Sequence, residues 1–245
     1  MRHVFRYVVE AEPAVGDEIV LAPEEAHHLA RVVRRRAGDP VELIGPDGRI
    51  WPAVVVSPGP AATVRPTGEG QAPPPPRVAL YQGLAEWGRL DTVAEKAVEM
   101  GVGPLSLFVS ERVRRRPDDD AWSRRRERLD RVSRAAARQA GGVAVGRVRG
   151  LLAFERVVAE IPAGEGFLID PRGEAPLPTA IAAGGASARV SLVVGPEAGF
   201  SDAEVDRARA GGLAVCRLGP TILRAETAAI AAMAIASAPA WEGGS

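Results

Sequence analysis

Short apolar runs alternate with helical segments throughout residues 77–245, and this alternation constrains the fold more than any other feature of the sequence. The apolar runs have the length of strands and lie at 78–84, 105–109, 166–170, 190–195 and 214–218. The segments with helical spacing lie at 90–100, 121–140, 151–160, 201–210 and 226–238. Continuous apolar strands are typical of a parallel sheet that is covered on both faces. We therefore predict an α/β domain with a mostly parallel sheet.

A β-rich region precedes this domain. Its strand-like segments are shorter and lie at 41–44, 50–56 and 63–65, with turns between them. Four consecutive prolines follow, from Pro73 to Pro76, and a run of this kind forms a stiff spacer. We therefore predict a small domain over residues 1–72, a linker over 73–76 and a larger domain over 77–245.

One helix interrupts the strands of the small domain. The segment APEEAHHLARVVRRRAGD places Pro23 in the first turn, followed by acidic residues at the positive end of the helix dipole. The arginines from Arg34 to Arg36 would then lie at the negative end, and Gly38 would end the helix.

Composition excludes several classes of protein. The chain has 31 basic and 31 acidic residues, so affinity for nucleic acid would have to come from a local patch. The single cysteine, Cys216, excludes an internal disulfide framework. The adjacent His27 and His28 would point in different directions on a helix, and we predict no metal site. The sequence shows neither a signal peptide nor an apolar run of membrane-spanning length, and we expect a cytoplasmic protein that does not contact a membrane.

Arginines are concentrated in residues 111–140, which hold eleven arginines and six acidic residues. A solvated helix face would explain part of this surplus. The loop before the helix has four arginines within five positions, which repel one another unless phosphates or solvent absorb the charge. The small domain is basic as well, through Arg2, Arg6, His27, Arg31, Arg34 and Arg35. We therefore predict RNA contacts from Arg6, Arg31, Arg34, Arg112, Arg114 and Arg115.

Two glycine-containing loops follow buried strands in the larger domain. The first is GPEAG at 195–199, after which Ser201 and Glu204 form a predicted capping box; the second lies at 218–224. Ligands bind at the carboxyl ends of parallel strands, where glycines let the backbone approach them closely. A tight turn without a ligand is the alternative for the first loop. Together the two loops favour one pocket, whose backbone and aliphatic surface suits an adenosine-bearing ligand without phosphates.

These loops carry a resemblance to a known family. The segments GPEAGFSDAE and LGPTILRAETAA together resemble the C-terminal signature of the SPOUT-class RNA methyltransferases, specifically the RsmE type, which methylates N3 of a uridine in 16S ribosomal RNA. RLDTVAEKAVEMGV resembles the first helix of that family's catalytic domain, and Ser110-Glu111-Arg112 its SER segment. HHLARVVRRRAGD resembles the helix of its PUA-like domain. The resemblance covers essentially the whole chain.

Four positions depart from the family pattern. Ala198 stands where a second glycine is usual, and Ala225 replaces the usual threonine. Arg138 and Gly142 replace a glutamate and an arginine around Gln139, so a family role of those two side chains is in doubt in this chain. Ala198 should be tolerated if its backbone keeps a negative φ.

The resemblance implies a C-terminal trefoil knot in the parallel sheet, a small β-rich PUA-like domain before it, a homodimer, and S-adenosylmethionine as the methyl donor. We expect the cofactor to contact Ile169, Gly195, Pro196, Glu197, Gly199, Leu218, Gly219, Ile222 and Leu223. Arg224 is the predicted catalytic cation, and Glu226 is predicted to orient it.

Two other functions fit the same sequence. The chain could act on another RNA, such as the 2′-oxygen of a tRNA ribose, or bind RNA without catalysis. For a 16S ribosomal RNA methyltransferase, the substrate could be free RNA or the assembled small ribosomal subunit, and the sequence leaves the target nucleotide open.

Overall fold

The structure, a computed structural model, describes residues 4–72, 75–113, 116–140, 148–184 and 189–242. Part of the predicted linker (73 and 74), the predicted RNA contacts Arg114 and Arg115, and Gly142 lie outside the described residues, as does the side chain of Arg138. The chain divides into two compact units: Met1–Pro75 with Ala137–Ala144, and Pro76–Ala136 with Val145–Ser245.

The first unit contains a sheet of short strands. The strands are β1 (Arg6–Val8), β2 (Ile19–Val20), β3 (Pro40–Ile44), β4 (Ile50–Ser57) and β5 (Thr63–Pro66). Their order in the sheet is β1-β3-β4-β5-β2; β1 runs parallel to β3, and the other pairs are antiparallel. Alternate residues such as Val41 and Leu43 are buried in its core. The predicted small β-rich domain is therefore confirmed.

The helix of the first unit is shorter than the sequence predicts. It consists of α1 (Pro23–His27) and a π-helical segment, His28–Val32. Arg34 adopts a left-handed backbone conformation with φ of 55°, which a right-handed helix cannot continue. The prediction that Gly38 ends the helix is therefore wrong: the helical segment ends at Val32, Arg34 to Arg36 follow that end, and Gly38 lies in the connection to β3.

In the described part of the second unit, seven strands form one parallel sheet. They are β6 (Val78–Gly83), β7 (Leu105–Val109), β8 (Arg149–Ala153), β9 (Gly166–Ile169), β10 (Ala175–Pro176), β11 (Val190–Val194) and β12 (Ala214–Arg217). Their order is β10-β12-β9-β11-β6-β7-β8. The predicted parallel α/β fold is confirmed, whereas the trefoil knot stays a prediction.

Helices cover both faces of this sheet. They are α2 (Trp87–Glu99), α3 (Asp119–Ala140), α4 (Phe154–Glu160), α5 (Leu177–Ala183), α6 (Asp202–Ala210) and α7 (Ala225–Glu242). Leu80 and Leu192 contribute to the core that holds α2 and α7, whereas their neighbours Tyr81 and Val193 contribute to the core that holds α4 and α6. Successive strand residues thus serve opposite faces, which explains the continuous apolar runs.

One predicted helix boundary is wrong. The segment predicted as helical from residue 151 begins as β8, which pairs with β7 at the edge of the sheet, and α4 starts only at Phe154. A short, partly exposed apolar segment fits a strand or a helix equally well by periodicity. Among the described residues, no helix is long and apolar enough to cross a membrane.

Candidate functional site

A cavity of about 320 Å³ opens at the carboxyl ends of β9, β11 and β12, which are neighbours in the sheet. Each of these strands ends in a loop that lines the cavity. The lining includes every residue predicted to contact a cofactor: Ile169, Gly195, Pro196, Glu197, Gly199, Leu218, Gly219, Ile222 and Leu223. The structure therefore brings together residues that are up to 54 positions apart in the sequence, from 169 to 223.

The loop 195–199 is a tight turn. The Gly199 N–H donates to the Pro196 carbonyl oxygen at 2.9 Å, and Gly199 has a φ of 68°, which favours glycine. Among the described residues other than glycine, Arg34 alone has a positive φ, so Ala198 keeps the negative φ that makes it a tolerable replacement. The end of β6 packs directly on this turn: a Cβ on Gly83 would lie 2.6 Å from the Pro196 nitrogen.

Side chains from neighbouring elements hold the same turn. The fully buried Gln82 donates from Nε2 to the Gly195 carbonyl oxygen at 3.2 Å. Arg112 donates to the Ala198 carbonyl oxygen at 3.0 Å, and Glu197 accepts from the Glu86 N–H at 3.0 Å. Arg112, predicted as an RNA contact, therefore also has a structural partner.

The buried carboxylate of Glu204 joins the SER segment to the start of α6. It accepts from the Ser110 hydroxyl, the Glu111 N–H and the Ser201 N–H, each at 2.9 Å. The Ser201 hydroxyl in turn accepts from the Glu204 N–H, which completes the predicted capping box. The capping box is thereby confirmed. The Glu204 carboxylate also holds the SER segment, which sequence spacing did not indicate.

The loop 218–224 is exposed by contrast. Ile222 is 86% exposed although it lines the cavity, and Gly219 has open space where a Cβ would lie. In the part of the chain that the structure describes, the N–H and C=O groups of 219–223 make no hydrogen bond to protein. These groups are free to bind a ligand.

The third wall of the cavity contains an ion pair between the buried Asp170 and the exposed Arg172, which the sequence did not predict. Asp170 lines the cavity and is 3% exposed; it accepts from the Arg172 Nε at 2.7 Å and Nη2 at 2.8 Å. Burial acts to raise the pKa of Asp170, but the hydrogen bonds and charge of Arg172 outweigh it and lower that pKa below its ordinary value. The carboxylate is therefore ionised near neutral pH.

Arg224 lies at the mouth of the cavity, immediately before α7. It is exposed, and within the described residues its guanidinium forms no hydrogen bond or ion pair. Glu226 does not pair with it, because residues two apart at a helix start face different directions. Glu226 instead accepts from Arg89 of α2 at 3.3 Å. The described partner of Glu226 is therefore Arg89 rather than Arg224, and an orienting role of Glu226 toward Arg224 stays a prediction.

Arg89 is a site residue that the sequence analysis missed. It lines the cavity and lies 3.3 Å from Glu226, 3.3 Å from Glu86 and 3.6 Å from Glu197. Partial burial acts to lower the pKa of Arg89, but the three carboxylates raise it above its ordinary value, so the side chain stays charged. Arg89 opens the segment that resembles the family's first catalytic helix, and that position was the signal available in the sequence.

The lining fits an adenosine-bearing ligand without phosphates. Its volume is within the usual range for small-molecule sites, which is roughly 300–1,000 Å³. Aliphatic side chains from Ile169, Leu218 and Leu223 supply apolar contacts, and the open backbone of 219–223 supplies donors and acceptors. Arg89 is neutralised by carboxylates, which leaves Arg224 as the one lining cation of the described residues without such a partner.

The first unit has a basic cavity of its own, of about 660 Å³. Two predicted RNA contacts, Arg31 and Arg34, line it together with Arg35 and His27, and no acidic residue is among its described lining. Arg6 does not line this cavity; its Nε donates to Glu42 at 2.6 Å.

Comparison with known proteins identifies the family. Residues 72–237 match the RNA methyltransferase domain family, and residues 21–65 match the RNA methyltransferase PUA domain family. The chain is 30% identical to the ribosomal RNA small subunit methyltransferase E of Mycobacterium bovis, over 93% of this chain and 88% of that protein. It is 27% identical to the protein of the same name from Bacillus subtilis, over 95% of each chain.

Solved structures show the same fold. One of them, a ribosomal RNA small subunit methyltransferase E from Neisseria gonorrhoeae bound to S-adenosyl methionine, superposes with a TM-score of 0.71. That chain is 24% identical, with 95% of this chain and 96% of that one covered, so the likeness concerns the fold. Because the RNA methyltransferase domain spans most of the sequence and a PUA domain precedes it, this chain belongs to the RNA methyltransferase family.

Proposed function

We propose that this protein transfers the methyl group of S-adenosylmethionine to N3 of a uridine in 16S ribosomal RNA. One observation carries the proposal: three loops from adjacent parallel strands line a cavity, and the Arg224 guanidinium at its mouth has no partner among the described residues. Membership of the RNA methyltransferase family and relatives named for small-subunit ribosomal RNA support the reaction class and the substrate.

The cofactor would be held by the three loops. The backbone groups of 219–223 would bind the polar edge of the adenine, and Ile169, Leu218 and Leu223 would contact its faces. The turn 195–199 would form a fixed wall, since Gln82, Arg112 and Gly83 already hold it. S-adenosylmethionine bound there supplies an electrophilic methyl group.

Arg224 would stabilise the nucleophile. N3 of uridine carries a proton that must leave before N3 can accept a methyl group, and the resulting negative charge spreads onto the two flanking carbonyl oxygens. A fixed cation beside those oxygens favours the anion and the transition state. Arg224 is always charged and its guanidinium has no carboxylate partner among the described residues, so its full charge is available. Solvent water would accept the proton.

Glu226 and Arg89 would act through position rather than by contact with the base. Their ion pair joins the first turn of α7 to α2, and so fixes the helix start from which Arg224 projects. A carboxylate directly beside the uridine anion would oppose its formation, and the ion pair with Arg89 offsets part of the charge of Glu226.

The RNA would also bind the PUA-like unit. Arg31, Arg34 and Arg35 converge on one cavity whose described lining has no carboxylate, and arginine is suited to bidentate phosphate contacts. Arg6, by contrast, is paired with Glu42 and would contribute less to the RNA affinity. We expect the RNA affinity to fall steeply with salt and the slope to decrease when Arg31 and Arg34 are replaced by alanine.

We further propose that the protein is a homodimer, with α7 near the two-fold axis. One face of α7 is buried in the core through Ala229, Ala232 and Met233. Ile230 and Ile235 remain partly exposed, on a helix whose only charged residue in the first turn is Glu226. A second copy would cover this apolar surface. Light scattering at micromolar concentration should give twice the chain mass; a monomer mass would contradict this proposal.

Two measurements test the proposed reaction. Calorimetry with S-adenosylmethionine should show binding to one site per chain, and labelled cofactor should transfer its methyl group to 16S ribosomal RNA but not to tRNA. Free RNA and purified small subunits should be assayed in parallel. Absence of cofactor binding would favour a non-catalytic RNA-binding protein, and transfer to tRNA would favour another RNA target.

A further inference from the structure

A second, larger cavity of the catalytic unit adjoins the cofactor cavity. It has a volume of about 880 Å³ and shares Pro196 and Glu197 with the first. Besides these, the lining includes Trp87 at the start of α2, Arg112 and Arg116 beside the SER segment, and Arg125 of α3. The turn 195–199 thus separates two cavities, one on each side.

An aromatic ring and an arginine are stacked within this cavity. The Arg125 guanidinium carbon lies 5.0 Å from the centroid of the Trp87 ring. Trp87 is half-buried and packs against the core of α2 and α7, which fixes the ring. Arg125 forms no ion pair within the described residues, so the ring is its principal partner. A flat aromatic surface of this kind binds nucleobases of any sequence by stacking.

Arginines outnumber carboxylates in the described lining of this cavity, by three to two. Two carboxylates line it, but both have other partners: Asp118 accepts from the Ala121 N–H at 2.7 Å, and Glu197 accepts from the Glu86 N–H at 3.0 Å. Arg116 and Arg125 have no carboxylate partner among the described residues. They are therefore available for phosphates.

We propose that this cavity binds a nucleotide that flanks the methylated one in the RNA substrate. Its base stacks on Trp87 in place of the Arg125 guanidinium, and Arg125 and Arg116 contact the adjacent phosphates. The inference rests on the proposed function, because the shared wall at Pro196 and Glu197 places this nucleotide next to the one at the cofactor cavity. Trp87 would then select single-stranded RNA, since a base within a duplex cannot stack on it.

Fluorescence titration with penta-uridylate tests the stacking directly. Stacking on Trp87 should quench part of the tryptophan emission of the parent protein, and Trp87→Phe should lose that quenching while keeping most of the affinity. Trp87→Ala should weaken penta-uridylate binding by roughly tenfold or more, as expected for loss of one base–aromatic stack. Identical quenching in the parent and in Trp87→Phe would overturn the proposal.

Matched arginine variants test the phosphate contacts. Arg125→Ala should weaken penta-uridylate binding, whereas Arg124→Ala removes the same charge from the neighbouring position of α3, outside the cavity, and should have little effect. Equal losses in both variants would show that only the charge of α3 matters and would overturn the proposal. Unchanged S-adenosylmethionine affinity in every variant would confirm that the fold is intact.

The same proteins distinguish failure of the flanking-nucleotide site from failure of the proposed function. If the parent methylates 16S ribosomal RNA and Trp87→Ala does so at the parent rate and KM, the flanking-nucleotide site is wrong and the proposed function stands. If the parent binds no S-adenosylmethionine, the proposed function fails, whatever the quenching shows.

Discussion

The two principal loops of the cofactor cavity are built in opposite ways. The turn 195–199 is held by Gln82, Arg112 and the close approach of Gly83. The loop 218–224 has exposed residues, and neither its backbone groups between 219 and 223 nor the guanidinium at its end has a hydrogen-bond partner in the described structure. One wall of the site is therefore formed before any ligand binds, whereas the other has unsatisfied groups that a ligand can satisfy.

Substitutions in the two loops should therefore have different effects, on stability in one loop and on function in the other. Changes at the anchors of 195–199 should cost folding free energy because they disturb buried contacts. Changes in 218–224 should leave the free energy of unfolding almost unaltered and act on cofactor binding or turnover, because exposed positions contribute little to stability.

The largest expected effect is on turnover, at Arg224. Arg224→Ala should lower kcat by about 100- to 1,000-fold, the range for removal of one preorganised group that stabilises an oxyanion. Arg224→Lys keeps the charge but lacks the planar guanidinium, so its kcat should lie between those of the parent and the alanine variant. Calorimetry should show S-adenosylmethionine affinity close to that of the parent in both. If the kcat of Arg224→Ala equals that of the parent, Arg224 has no catalytic role.

The second effect is on cofactor affinity, at Gly219. Apart from its chain neighbours, no atom of the described residues lies within 4 Å of a Cβ at this position, so Gly219→Val should fold normally while its side chain occupies the cavity. We expect affinity for S-adenosylmethionine to fall by roughly 10- to 100-fold, as for steric overpacking of 1–3 kcal/mol. Calorimetry and urea denaturation on the same sample provide the measurement. Parent affinity would show that the cofactor does not contact this loop.

The third effect is on stability, at Gly83. A Cβ there would lie 2.6 Å from Pro196 atoms, including the backbone nitrogen, which cannot move without displacing the turn. Gly83→Ala should lower the free energy of unfolding by about 1–3 kcal/mol and weaken cofactor binding as well. Gly88→Ala is the matched control, because nothing lies within 4 Å of its Cβ. If Gly83→Ala is as stable as the control, the turn is not anchored as described.

The smallest expected effect depends on pH, at Asp170. The pKa of Asp170 is lowered in the folded protein, so the ion pair with Arg172 stabilises the fold above the ordinary aspartate pKa and loses this contribution as pH falls through the folded-state value. Asp170→Asn should cost about 1 kcal/mol of unfolding free energy at pH 7. The difference from the parent should shrink below about pH 4. A difference independent of pH would exclude the ionised carboxylate as its source.

The sequence predicted the positions of most strands of the parallel sheet because each is a continuous apolar run with residues buried on both faces. It also predicted the lining of the cavity, since the carboxyl ends of parallel strands meet at one edge. The ion pair of Arg89 with Glu226 could not be predicted, because it depends on how α2 packs against α7, 137 positions away. The early end of the first helix was missed because the left-handed Arg34 carries no glycine signature. The edge strand β8 was missed because its periodicity is ambiguous.

The most direct test of the account is the position of the methyl group. Purified protein would be incubated with S-adenosylmethionine and 16S ribosomal RNA or small subunits that lack the modification, and the digested RNA analysed by mass spectrometry. We predict a single 3-methyluridine with the parent protein and at least about 100-fold slower formation with Arg224→Ala. Methylation of a ribose 2′-oxygen, or equal yields of 3-methyluridine from the two proteins at early times, would contradict it.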